Sequence, residues 1–229
     1  MTIKKGDFIQ LEYTGKITED ATIFDTSVQK IAEEAGLLHK HGPNDNHDHT
    51  DKYHPITICV GEKHLLPGLD EEIEGKNIGK HTINVPTEKA FGKKNPKLLK
   101  IMPMKLFKQQ NIKPFVGLEL NIDGQIGIVR SISAGRTIVD FNHPLAGKDL
   151  TYEVEIKKKI EDPKEQIQAI LDLVGIKPTK IELKEKKATI EIPIELPPEY
   201  TQKLKEEIKK LTNIETEITK SQKTDANKQ

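Results

Sequence analysis

The chain has 229 residues, 34% hydrophobic and 31% charged, with 36 basic side chains against 36 acidic ones. That balance suits globular material with modest cores, two domains or three small ones, and gives no electrostatic reason to expect a nucleic-acid partner. Cys59 is the one cysteine, which excludes a disulfide framework within the chain. The start MTIKKGDF lacks an apolar signal core and no window is apolar enough to span a bilayer, so a cytoplasmic protein without membrane association is expected.

Asp7 to Tyr13 alternates, with Ile9, Leu11 and Tyr13 facing one way and Gln10 and Glu12 the other, which predicts a half-buried strand. A polar turn at Thr18 to Thr22 leads to a second strand at Ile23-Phe24-Asp25. Val28 to Leu38 has room for a helical turn or two. Gly42 to His54 is polar and reads as a loop. His39, His41, His47, His49 and His54 lie in or beside it, among Asp45, Asp48 and Asp51. Such groups can bind zinc or nickel, or they can simply be solvated. No pair sits on a helix or strand that would fix its geometry, so no metal site is assigned.

Ile56, Ile58 and Val60 predict a strand that Gly61 ends. A short helix follows, with Pro67 in its first turn and Asp70, Glu71 and Glu72 near its positive end. Leu65, Leu69 and Ile73 give it an apolar face and Gly75 stops it. A helix this short needs a sheet to lie on. His81 to Val85 predicts a further strand, stopped by Pro86.

Beyond Phe91-Gly92 the pattern changes. Lys93 to Lys100 is basic and Ile101 to Phe107 is apolar. Leu118, Leu120 and Ile122 alternate into Asp123-Gly124, a hairpin signal, and Ile126, Ile128 and Val129 return. Ala134-Gly135-Arg136 turns the chain again, into a strand at Thr137 to Phe141. Residues 93–139 therefore read as a small β domain inserted between two strands of another. So small a domain has little interior, so Met102, Met104, Leu106, Phe107 and Phe115 divide between core and an exposed apolar surface.

Leu150, Tyr152, Val154 and Ile156 alternate as the strand that closes the first domain. Asp162-Pro163-Lys164-Glu165 opens a helix, with Asp as cap, Pro at the first position and Glu at the third. Ile167, Ile170, Leu171 and Val174 form its apolar stripe. A hairpin (Ile181 to Ile194), a helix from Pro197-Pro198 with Tyr200, Leu204, Ile208 and Leu211 on one face, and a last strand (Asn213 to Ile218) complete residues 161–220. Residues 221–229 read as a disordered tail. The order αββαβ is a βαββαβ unit without its first strand. An open edge and little burial predict a homodimer through this domain, the alternatives being that it packs on the first domain of its own chain or stands as a small independent domain.

Five segments occur in a telling order. They are Tyr13-Thr14-Gly15, Ile23 to Ser27, Val60-Gly61 with Leu65 to Glu71, Gly75 and Gly79, then Ala90-Phe91-Gly92, and Leu150 to Ile156. Together they resemble the FKBP-type peptidyl-prolyl isomerases. The insert, followed by Asn142-His143-Pro144-Leu145-Ala146-Gly147-Lys148, resembles the SlyD subgroup, and the extension beyond residue 160 is similar to the long archaeal members. The resemblance implies an α+β fold: an FKBP-type antiparallel sheet wrapped on a short helix (1–92 and 140–160), an insert-in-flap domain that holds unfolded chains (93–139), and the C-terminal αββαβ domain.

The implied function is prolyl isomerisation and chaperoning of unfolded or partly folded protein clients, without a cofactor. The alternative is a holdase with a vestigial pocket. Carried over by residue, the pocket comprises Tyr13, Phe24, Asp25, Ile56, Leu65, Leu66, Leu69, Phe91 and Tyr152. Leu69 would be the floor, the Leu66 N–H would hold a substrate carbonyl, Tyr13 and Phe91 would be walls, and Asp25 a carboxylate at the rim. His143 joins through the SlyD-type resemblance, and Met102, Met104, Leu106, Phe107 and Phe115 would meet clients. Leu69 stands where many members have Trp, and Phe91 where many have Tyr. The histidine-bearing tail through which SlyD proteins bind metal has no counterpart here.

Overall fold

A computed structural model describes residues 2–37 and 53–221. The histidine-rich stretch up to residue 52 and the tail from residue 222 lie outside them. The chain divides into two units: residues up to Asn84 together with those from Thr151 on, and Val85–Leu150.

In the first unit β1 (Phe8–Ile17) pairs antiparallel with β2 (Ile23–Thr26) along its second half and with β3 (Ile56–Cys59) along its first. With β9 (Leu150–Ile160) and β4 (Gly79–Val85) the sheet runs β2-β1-β9-β4, with β3 off that path on β1. A short α1 (Gln29–Glu34) follows β2. α2 (Pro67–Ile73) follows β3, with Pro67 in its first turn and Leu69 and Ile73 buried. The alternation expected along β1 fails at its start, where Phe8 and Ile9 are both buried. Phe8 faces away from Ile9, opposite Cys59 in the β1–β3 register, and both are covered by residues from the far end of the chain.

That cover comes from α4 (Pro163–Leu173), β10 (Lys180–Lys184), β11 (Lys187–Ile192), α5 (Pro198–Thr212) and β12 (Glu215–Lys220). Asp162 caps α4, accepting from the Lys164 N–H at 3.0 Å. Glu165, at the third position, pairs with Lys158 at 3.5 Å. Asn213 ends α5 in the left-handed conformation, φ 57°. Ile167, Ile170, Leu171, Ala188, Ile190, Ile192, Leu204 and Ile208 form one buried cluster with Phe8 and Cys59. The apolar area that these residues lack among themselves is supplied by β1 and β3 of the same chain. The sheet order is β10-β11-β12, and β12 lies parallel and directly beside β11. No slot for an absent strand remains between them, and among the described residues the unpaired edges are the outer sides of β10 and β12.

The second unit is a four-stranded antiparallel sheet, ordered β5-β8-β7-β6, from β5 (Leu99–Pro103), β6 (Glu119–Ile122), β7 (Gln125–Ser133) and β8 (Arg136–Asp140). Asp123 and Gly124 both take positive φ, 51° and 80°, as a tight hairpin between twisted strands requires. α3 (Met104–Gln109) turns Phe107 inward against Leu120, Val129 and Val139. A Cβ on Gly127 would stand 2.7 Å from both Phe141 and Val139, so only glycine lets the Phe141 ring lie against β7.

This unit is wider than residues 93–139. The segments entering and leaving the insert fasten to each other: the Gly147 N–H donates to the Gly92 carbonyl at 2.8 Å, and the Thr87 N–H and hydroxyl donate to Asp149 at 2.7 and 2.6 Å. Phe91 and His143, expected with the first domain, belong to it.

Candidate active site

The pairing of β1 with β2 brings Tyr13, Phe24 and Asp25 together. Thr14 stands opposite Thr26 and Gly15 opposite Asp25. The Thr14 and Thr26 hydroxyls bond at 2.9 Å, and the Ser27 N–H donates to the Tyr13 carbonyl at 2.9 Å while the Ser27 hydroxyl accepts from the Tyr13 N–H. This lattice of short polar side chains fixes the end of β2, and with it the Asp25 carboxylate.

Tyr152 on β9 completes an aromatic group. Its ring lies 6.1 Å from Tyr13, tilted, and 5.9 Å from Phe24, edge-on at 88°. Gly15 sits beneath it. A Cβ there would lie 2.6 Å from Phe24 Cζ and 3.0 Å from Tyr152 Cε1. The Tyr13 hydroxyl donates to Asp25 Oδ2 at 2.8 Å. Burial raises the Tyr13 phenol well above its ordinary value and the Asp25 carboxylate raises it further, so it stays a neutral donor. Burial and then Asp25 raise Tyr152 in the same sense.

The connection between β3 and α2 carries the aliphatic members. Leu65 and Leu66 are half-buried, as is Ile56 at the start of β3, while Leu69 is only 2% exposed. Among the described residues the Leu66 N–H donates to no backbone group, whereas its carbonyl accepts from Leu69 and Asp70. Asp70 holds this connection and was missed in the sequence, where it reads as a charge matched to the helix end. It is 4% exposed and accepts from the Gly61 N–H at 2.9 Å and the Lys63 N–H at 3.0 Å.

In the second unit Phe91 and His143 stack on each other, ring centroids 4.2 Å apart and 4° from parallel. His143 Nδ1 accepts from the Leu145 N–H at 3.2 Å, which leaves Nε2 as the nitrogen free to carry a proton. The residue before it was also missed. Asn142 Oδ1 accepts from the Asn95 N–H at 2.7 Å and its amide donates to the Asn95 carbonyl at 3.1 Å, tying the two ends of the insert. Asp140, 3% exposed, accepts from the Asn142 N–H and amide and from Lys94 at 3.0 Å. Burial would raise its carboxyl, but the bonds from Asn142 and Lys94 outweigh it and hold the pKa at about 2.

The five residues expected to meet clients part company. Phe107, 3% exposed, is core and is not available at the surface; Met102 and Met104 are half-buried against it. Leu106 and Phe115 are exposed, Phe115 by 60%. Leu99, Ile101, Val116 and Ile126 are exposed too, and were not singled out in the sequence. Register puts Leu99 and Ile101 on one face of β5, with Ile138 opposite Ile101.

A cleft of about 360 Å³ also touches Tyr13 and is lined by Val28, Ile31, Glu12, Glu153 and Glu155 among others. Glu12 and Glu155 are bridged by Lys157 at 2.9 and 3.0 Å, and none of Phe24, Asp25, Leu65 or Leu66 lines it. Among the described residues no group of His, Cys, Asp and Glu could hold a metal ion, and no helix is long and apolar enough to cross a membrane.

Residues 100–145 match the family model described as FKBP26, IF domain. The short-type peptidyl-prolyl cis-trans isomerase of Methanocaldococcus jannaschii is 27% identical over 156 residues, 68% of this chain and 92% of that one. The FKBP-type 16 kDa peptidyl-prolyl cis-trans isomerase of Escherichia coli is 31% identical over 44% of this chain and 72% of its own length. The FKBP-type peptidyl-prolyl cis-trans isomerase SlyD of Pasteurella multocida is 30% identical over 49% and 59%.

Proposed function

We infer how this chain works from its family: it belongs to the FKBP-type peptidyl-prolyl cis-trans isomerases and is an enzyme that interconverts cis and trans X–Pro bonds. The barrier to that rotation, about 20 kcal/mol, is amide resonance lost on twisting. Lowering it takes no nucleophile, metal or proton relay. An apolar wall strips water from the amide and disfavours its planar, dipolar form, while fixed contacts favour the twisted one. Five powers of ten correspond to about 7 kcal/mol.

The observation that carries the site assignment is the Tyr13–Asp25 bond inside the Tyr13, Phe24, Tyr152 aromatic group. We assign Tyr13, Phe24, Ile56 and Leu65 to the wall, Asp25 to the rim, and the Leu66 N–H to a substrate carbonyl; Tyr152 and Leu69, expected in the pocket with Leu69 as its floor, are 4% and 2% exposed and back that surface from beneath. Phe91 and His143, expected in this pocket by resemblance, belong to the other unit, where they stack on each other.

The second function proposed is chaperoning. Most of the large exposed apolar side chains of the described chain belong to the insert, among them Leu99, Ile101, Leu106, Phe115, Val116 and Ile126. So much apolar surface on so small a sheet suits the capture of unfolded segments of varied sequence. Clients would be unfolded or partly folded proteins bearing proline, in the cytoplasm, without nucleic acid. A homodimer through residues 161–220 is also proposed, resting on the unpaired edges of β10 and β12.

The deciding experiment compares the full chain with one in which residues 93–139 are replaced by a short turn. Isomerisation of a short proline peptide is expected to persist, and proline-limited refolding of a whole protein to slow at least tenfold, because captured clients raise the local concentration of proline at the pocket. Refolding catalysis that survives the replacement would rule out client capture by the insert.

A further inference from the structure

The connection from Cys59 to Leu66 is pinned at Cys59 and from Gly61 to His64. Cys59 is buried in the cluster shared with α4, α5 and β11, and its N–H donates to His64 Nδ1 at 3.1 Å. Gly61 and Lys63 both take positive φ, 84° and 62°, and both donate their N–H to Asp70. A lysine holds that conformation only where its surroundings over-determine it. Between these two residues Glu62 reaches the other way and pairs with Lys210 on α5. Leu65 and Leu66 follow at once. One of the ties that shape this connection is therefore supplied by a helix more than a hundred residues downstream.

We propose that the C-terminal residues 163–220 are a working part of the isomerase: they bury Phe8 and Cys59, hold Glu62 through Lys210, and so set the connection that presents Leu65 and Leu66 to substrate. Lys210 is a positioning residue. This rests on the assignment of Leu65 and Leu66 to the pocket. A connection that spends part of its time unpinned offers the Leu66 N–H for only part of the time, and apparent affinity falls by that fraction. The effect therefore belongs in KM more than in kcat.

The test uses the full chain with Lys210→Glu, with Glu62→Lys, and with both. Both side chains reach solvent, Lys210 by 64% and Glu62 by 23%, so the fold is expected to survive. Each single variant is expected to raise KM for a short proline peptide several-fold, with kcat within twofold, and to speed hydrogen exchange at the Gly61 and Lys63 amides. The double variant restores the pair with its sense reversed and is expected to recover both readouts. Unchanged exchange in the single variants, or losses that the double variant does not recover, would overturn the proposal. Leu65→Ala separates the two readings. If it too leaves KM unchanged while exchange responds to Lys210, the pocket assignment has failed and the catalytic role falls with it. If Leu65→Ala raises KM and the Lys210 variant does not, the pocket stands and the positioning role alone is lost.

Discussion

Tyr13 and Asp25 stand diagonally across the β1–β2 pairing, and the Tyr13 hydroxyl donates to Asp25 Oδ2 at 2.8 Å. The proposed wall and rim are thus one unit. The phenol fixes the carboxylate's direction and the carboxylate keeps the phenol a donor. Asp25→Ala is expected to lower kcat/KM for a short proline peptide about tenfold, near 1.4 kcal/mol of transition-state stabilisation. Tyr13→Phe, which keeps the ring and removes only the donor, is expected to cost somewhat less. Asp25 is exposed, so its replacement should leave the thermal midpoint nearly unchanged. Full turnover in both variants would remove the pair from the site.

Gly15→Ala is expected to act on the same site from below. The new methyl meets Phe24 at 2.6 Å and Tyr152 at 3.0 Å, and overpacking of this kind typically costs about 1–3 kcal/mol. Urea denaturation should show a loss of that size, with activity falling further because the aromatic group is what moves. A variant as stable and as active as the parent would mean that the rings yield freely.

Acid should loosen the insert. The Asp140 carboxyl sits at about 2 in the folded chain against an ordinary 3.8. A carboxyl depressed on folding contributes stability that is fully present above its unfolded value and is lost as the pH falls through the folded one. Hydrogen exchange of the Asn95 and Asn142 amides should therefore quicken as the pH drops from about 4 towards 2, beyond the intrinsic pH trend. Asp140→Asn, which cannot carry the charge that Lys94 answers, should show quick exchange already at neutral pH. Identical pH profiles in parent and variant would dismiss Asp140 as the fastening.

Light scattering tests the proposed homodimer. The full chain is 25.9 kDa, and a particle of about twice that mass is expected at tens of micromolar. Lys or Pro substitutions along the outer side of β12 should return it to a monomer. A monomeric parent would end the idea.

Much of the fold could be read from local chemistry. The hairpin at Asp123-Gly124 is legible because few residues tolerate its dihedral angles, and α4 because Asp162 and Pro163 mark its start. β5 was not, since its apolar residues run from a basic stretch straight into Pro103 and α3 without a turn signal. Phe8 gives no local signal of its burial, because what covers it lies at the other end of the chain. In the proposed site, the family resemblance named Tyr13, Phe24 and Tyr152, whose rings the fold brings together, but not the bond from Tyr13 to Asp25, which depends on register. Asp70, Asp140 and Asn142 look like ordinary surface polar residues until the backbone amides they accept from are brought to them. Phe107 went the other way: its type suits a binding surface, and only the direction of α3 turns it inward.

The two additions to the isomerase sheet are joined to it in different ways. The insert closes on itself, Asn95 to Asn142 and Gly92 to Gly147, so it is a cassette that could be lifted out or exchanged between proteins with little adjustment at the seam. The C-terminal residues share a core with Phe8 and Cys59. They cannot be traded in that way, because a change of volume on either side must be matched on the other. Over generations the first addition is free to drift as a unit, and the second is bound to change in step with the strands it covers.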